Sequence, residues 1–222
     1  MRSHLFAPVF GLTTVLISSV VVSAPATAAT FQIGEGVTSV FLDLPTLESA
    51  AGLTLTGASS DVVPPVSGDF LVGFTITPET DFAFSDTNGF TYLGGSIEHT
   101  GSITFNDSVS VGNFSIGFDA NRASGSASGF FVQDTLTTNA ILFDIANVVP
   151  ALADNTVTVS GDLLVSQEFA GFLNNSALTG ALVGRAQTNA TAVPEPATMA
   201  GIALAGSALV ASRRNRQKSP KA

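Results

Sequence analysis

An all-β fold, built as an antiparallel β-sandwich or barrel-like body, is predicted for residues 29–192, and three observations carry that prediction. Hydrophobic residues recur there with a period of two, the spacing that puts alternate side chains on one face of a strand. Gly, Asn, Asp and Ser interrupt these runs every few positions, as they do between short antiparallel strands. Fifteen of the seventeen phenylalanines fall in this stretch, enough to fill the space between two sheets. Segments of a different kind flank the body: a signal peptide over residues 1–28, and a C-terminal stretch, residues 193–217, with a single predicted transmembrane helix at 197–212.

The N-terminal segment begins with Arg2 and the free amine as its positive end, followed by an apolar run over residues 5–22. Ala26-Thr27-Ala28 then puts small residues at −3 and −1, so Ala26 and Ala28 are the expected cleavage residues and Ala29 the first of the mature chain. The length of the apolar run would also suit an uncleaved anchor; the well-formed small-residue site argues against that.

Within the body, Phe70, Val72, Phe74 and Ile76 alternate with Leu71, Gly73, Thr75 and Thr77. Ile103 and Phe105, then Val109 and Val111, hold one phase across the turn-forming Asn106-Asp107. Phe114, Ile116 and Phe118 have the opposite parity, which requires a turn or bulge at Gly112-Asn113. Val157, Val159, Leu163 and Val165 form a further set. Shorter strands are expected at 37–43, 53–57, 80–84, 90–93, 129–132 and 140–145. One short helix is expected at 167–173, with Ser166 as N-cap and Asn174 closing it. Residues 124–129 read as a flexible loop and 188–192 as a tether. Phe74, Ile76, Phe105, Val111, Ile116, Phe143 and Val159 are the expected core. No solid internal repeat supports the alternative of a β-solenoid.

The tail is the most specific part of the chain. Val193-Pro194-Glu195-Pro196 is a rigid break, because each proline lacks an N–H donor and biases its predecessor away from helix. The sixteen uncharged residues that follow would span about 24 Å as a helix, a little short of a ~30 Å hydrocarbon core. They are apolar or small all round, whereas a core helix would show a polar face. Arg213, Arg214 and Arg216, with Lys218 and Lys221 behind them, form a positive stop that keeps the C-terminus cytoplasmic. This order of break, short helix and basic stop resembles the PEP-CTERM sorting signal of exported bacterial proteins. The resemblance implies recognition of Val193, Pro194, Glu195 and Pro196 by exosortase, transient membrane anchoring, and association with extracellular polysaccharide. Signal peptidase would be the second processing enzyme. The same module also occurs on ice-binding proteins, but the body lacks a regular Thr-x-Thr array.

Charge and composition exclude several functions for the body. It holds sixteen of the seventeen acidic residues and only Arg122 and Arg185 as bases, a formal charge of −14. A chain this acidic has no electrostatic footprint for nucleic acid or an anionic lipid surface. The absence of cysteine removes disulfides, thiol catalysis and thiolate metal sites. The body has a single histidine, His99, and no G-x-S-x-G elbow; no catalytic residue is predicted, and a hydrolase is only a third reading. Asp43, Asp61, Asp86, Asp107, Asp119, Asp154 and Asp162 read as turn residues. The aromatic platforms usual in sugar sites are largely missing, with no Trp and one Tyr.

Two ligand readings stand beside the structural or adhesive one. Asp81, Asp86 and Asn88, or Asp119 and Asn121, place oxygens that could suit calcium, although no EF-hand or nonapeptide loop occurs. Residues 95–105 resemble the opening of HtaA-type haem-binding β-domains, and 163–173 and 178–184 resemble their end. That resemblance implies a tyrosine ligand supported by a histidine, for which the body offers only Tyr92 and His99. Solvated turn carboxylates, an edge-strand histidine and a core-capping tyrosine are the simpler accounts. No resident metal or cofactor is expected, and the reading is an exported, anchored surface or matrix protein.

Overall fold

The computed structural model describes residues 30–195. The chain runs β1 (Thr30–Leu42), α1 (Leu44–Ala51), β2 (Leu55–Ala58), β3 (Val72–Ile76), β4 (Ala83–Ser85), β5 (Thr91–Gly94), β6 (Ile97–Thr100), β7 (Ser102–Phe105), β8 (Val109–Gly112), β9 (Ser115–Phe118), β10 (Ala127–Gln133), β11 (Ile141–Ala153), β12 (Thr156–Val165), α2 (Gln167–Phe172) and β13 (Leu182–Pro194). Eight strands close a barrel in the order β1-β3-β6-β9-β10-β11-β12-β13, with β13 returning to β1, and every ladder is antiparallel. The alternative of two open sheets is thereby decided in favour of the barrel.

Closure depends on β1, whose thirteen residues are long enough to serve three neighbours. One edge pairs with β13 from Phe31 to Leu42. The other pairs with β3 over Val37–Val40 and with β4 over Thr30–Gln32. Between these runs the strand bulges, with a register shift between Ile33 and Gly36. A Cβ on Gly36 would sit 2.3 Å from the Asn189 carbonyl oxygen, so only glycine lets the seam close here.

Alternation sorts the side chains as the period-two pattern predicts. Phe74, Ile76 and Ile116 are buried, as are Phe105 and Val111, while Phe143 and Val159 are half-buried against the same core. Asn106 and Asp107 both adopt left-handed φ, 52° and 53°, and make the β7–β8 hairpin. Asn113, at φ 45°, carries the chain from the small β2-β7-β8 sheet into the barrel. The helix at α2 starts from Ser166, whose Oγ accepts from the Phe169 N–H at 2.9 Å.

Both barrel mouths are covered. Ile103, from the small sheet, lines the same interior void as Phe74, Phe114 and Leu163, and Phe169 of α2 meets Phe143 edge-on with centroids 5.8 Å apart. At the other mouth β4 and β5 fold over and complete a chain of rings. Phe31 stacks on Phe84 and Phe84 on Phe90, at 5.5 and 4.9 Å; Phe82, Tyr92, Phe118 and Phe130 continue it, with Tyr92 and Phe118 4.9 Å apart. Such pairs add about 0.5–1.5 kcal/mol each beyond area burial.

Four sequence expectations are corrected. Residues 188–192 are not a tether but the centre of β13, with Thr188, Ala190 and Ala192 buried. The inward positions of β13, Ala186, Thr188, Ala190 and Ala192, alternate with the outward polar Arg185, Gln187, Asn189 and Thr191, so the strand keeps the period of two in residues too small to stand out as a hydrophobic run. Asp43 is not a turn residue but the N-cap of α1, accepting from the Thr46 N–H at 3.2 Å. Asp162 lies within β12, and β10 begins at Ala127, inside the expected 124–129 loop. Among the described residues no helix is long and apolar enough to cross a membrane. The signal peptide with Ala26 and Ala28, the 197–212 helix, and Pro196, Arg213, Arg214 and Arg216 lie outside the described residues.

Candidate functional site

The first part of the predicted sorting motif is built into the barrel seam. Val193 pairs with Gln32 and Pro194 with Phe31, and the Glu195 N–H donates to the Thr30 carbonyl at 3.0 Å. Pro194 is the last residue of its strand, a position where the missing N–H costs little. The Val193 side chain points outward and is half exposed. Thr30, which comes two residues after Ala28 in sequence, and Val193–Glu195 therefore lie side by side at the same mouth. The aromatic plug stands at that mouth. Only Glu195 and Pro196 separate the strand from the apolar run at Ala197.

His99 and Tyr92 have separate structural roles, and His99 is not on an edge strand as expected, because β6 is paired on both sides, by β3 and by β9. His99 is buried within the barrel, with Nδ1 2.8 Å from the Phe114 carbonyl oxygen and Nε2 2.7 Å from Thr38 Oγ1. A carbonyl can only accept, so the neutral ring carries its proton on Nδ1 and Nε2 accepts from the Thr38 hydroxyl. Thr38 in turn lies 2.8 Å from Thr188 Oγ1, which donates to it, linking β6, β1 and β13 across the closure. Burial pushes the His99 pKa down to about 4, against the opposing pull of the Phe114 hydrogen bond and the Glu98 charge. The Tyr92 hydroxyl donates to the Gly95 carbonyl at 2.8 Å. Haem does not fit these residues: both His99 nitrogens are engaged, and the two interior voids, about 30 and 40 Å³, admit no more than water-sized guests.

Of the calcium candidates, Asp81 and Asp119 accept hydrogen bonds, while Asp86 and Asn88 are exposed in the β4–β5 connection. Asp81 Oδ1 accepts from the Ser96 N–H at 2.8 Å. Asp119 Oδ1 accepts from both the Asn121 N–H and its side-chain amide at 2.9 Å. No group of three His, Cys, Asp or Glu side chains suited to a metal ion occurs among the described residues.

Two constellations escaped the sequence reading. Asp134 is fully buried and accepts from the N–H groups of Gly112, Leu136, Thr137 and Thr138 and from the Thr138 hydroxyl, with distances from 2.6 to 3.2 Å. Burial alone would raise its pKa, but the hydrogen bonds from Gly112, Thr138 and Leu136 outweigh it and hold the carboxyl below its ordinary value. An Asp followed by Thr135, Thr137 and Thr138 is a turn signal that could have marked it. Arg122 is clamped by Glu168, at 2.6 and 3.0 Å, and by Asp144 at 2.8 Å. Those hydrogen bonds, Glu168 foremost, raise the arginine pKa against burial, and the Arg122 bond lowers that of Glu168.

Fold and exit together define a class of molecule: a closed, plugged antiparallel β-barrel whose last strand leads directly into a C-terminal targeting sequence. Residues 192–216 match the PEP-CTERM protein-sorting motif, and the chain carries that motif. Among solved structures, the C-terminal domain of HtaA from Corynebacterium glutamicum aligns over 73% of this chain and 99% of its own, with 13% identity and a TM-score of 0.47. No curated protein matches the chain.

Proposed function

We propose that this protein is exported, held at the inner membrane by its C-terminus, and processed by exosortase, so that the barrel reaches the cell surface or extracellular matrix. There it is structural or adhesive, in contact with extracellular polysaccharide, and it is not an enzyme. The observation that supports this most is the continuity of the motif with β13: Val193 and Pro194 are seam residues, and Glu195 is bonded to Thr30. Only Glu195 and Pro196 then separate the folded barrel from the apolar run proposed as the anchor. The filled interior and the formal charge of −14 favour display over internal ligand carriage or nucleic-acid contact.

Replacing Pro194, Glu195 and Pro196 by alanine tests the reading. Alanine at the strand end leaves the register of β13 intact, and the apolar helix and basic stop are untouched. The expected result is normal insertion with unprocessed chain accumulating in the inner membrane, read by fractionation and by the C-terminal mass of the surface form. A wild-type surface form that still contains Lys218 in a host with a working exosortase would reduce the tail to a plain anchor.

A further inference from the structure

An open groove of about 450 Å³ runs along the outer wall of the barrel. Its floor is the outward face of β12 and β13, where Ser160 pairs with Gln187 and Asp162 with Arg185. The β2–β3 connection forms one bank with Asp69 and Phe70, and β11 forms the other with Asn147 and Val149. The volume falls within the range of small-ligand sites, about 300–1,000 Å³.

Arg185 is the unusual group here. Among the described residues Arg122 is held by two carboxylates, whereas Arg185 makes no ion pair although Asp162 is its direct cross-strand partner. Its guanidinium is instead stacked on Phe41 and Phe70, 5.2 and 5.4 Å from the ring centroids, with one N–H donating to the Asp69 carbonyl at 3.3 Å. That leaves four N–H donors held in place by rings and not neutralised by an anion. Asp162 accepts a single hydrogen bond, from the Asn147 amide at 2.8 Å, and keeps acceptor capacity. Gln187 gives its amide to Asn189 at 2.7 Å, leaving its carbonyl oxygen as an acceptor. Donors and acceptors thus alternate along the floor, while Phe70 and the 61% exposed Val149 give each bank an apolar contact surface.

Pyranose rings have this same division, with hydroxyls around the edge and C–H groups on the faces. We propose that the groove binds a neutral glycan chain, with Arg185, Asp162 and Gln187 on the hydroxyls and Phe70 and Val149 along the ring faces. The ligand is neutral because Asp69, Asp162 and the body's charge of −14 oppose a polyanion. The inference gives the matrix-facing part of the proposed function a ligand class. It is independent of tail processing, since the alanine variant of the sorting motif should bind as the wild type does.

The test is affinity electrophoresis of the full-length chain in mild detergent. Native gels would contain dextran, hydroxyethyl cellulose or galactomannan, with polygalacturonate and polymer-free gels as references. Retardation by at least one neutral polymer is expected, with affinity falling at least fivefold in Arg185→Gln, Asp162→Asn and Gln187→Ala. Unchanged circular dichroism melting of each variant guards against misfolding, and three independent variants keep the result readable if one fails that control. Retardation by polygalacturonate alone, by no neutral polymer, or equally in all variants would overturn the assignment.

Discussion

His99 should make the barrel acid-labile between about pH 6.5 and 4. In the unfolded chain the imidazole has an ordinary pKa near 6.5, whereas in the barrel it is pushed down to about 4. Between those values the unfolded state binds the extra proton and the folded state does not, so stability rises with pH. The contribution is complete above pH 6.5 and is lost as pH falls through 4. The shift of roughly 2.5 units corresponds to about 3 kcal/mol, most of it lost by pH 4.5. Structure supplies the cause: protonation would make Nε2 a donor toward Thr38, forcing that hydroxyl to reverse and Thr188 to seek another acceptor inside a filled barrel. Acid also relieves the repulsion within a body of charge −14, which acts in the opposite direction. A His99→Asn variant separates the two, because its amide can keep the donor to Phe114 while having nothing to titrate. Urea unfolding of residues 29–195, followed by far-UV circular dichroism from pH 7.5 to 4.5, gives both stabilities. The wild-type advantage over the variant should shrink by about 2.5 kcal/mol across that range. A difference that stays flat would refute a buried neutral His99.

Phe74→Ala should cost about 3–5 kcal/mol, since Phe74 is fully buried and packs edge-on to Phe114; Thr75→Ala, facing the other side of the strand, should cost under about 1 kcal/mol by the same denaturation assay. Asp134→Ala should destabilise by more than about 3 kcal/mol, because four backbone N–H groups lose their common acceptor; protease resistance near residues 134–138 that matches wild type would contradict this. N-terminal sequencing of the membrane-associated form should find Ala29 or a residue within two of it, and an intact Met1 would make the first segment a permanent anchor.

What the chain declares locally is its strands, turns and tail. Alternation in Phe74–Ile76 and Val157–Val165, the left-handed turn at Asn106-Asp107, and the Ser166 cap are all set by neighbours a few residues apart, and the fold keeps them. The break, apolar run and basic stop of the tail are equally local. Ile97 and His99 share one parity, yet only the packed barrel shows that both point inward. Barrel or sandwich could not be read, because both architectures use the same alternation and differ only in whether the first and last strands meet. That meeting joins Thr38 to Thr188, 150 positions apart, through small inward residues that form no run of large hydrophobics. The Asp134 cradle likewise needs Gly112, 22 positions away. The groove on the outer wall brings Phe70, Asn147, Asp162 and Arg185 together from four separate segments. Hydrogen bonding and side-chain volume select such long-range partners only once the chain has closed, which is why they belong to the tertiary structure alone.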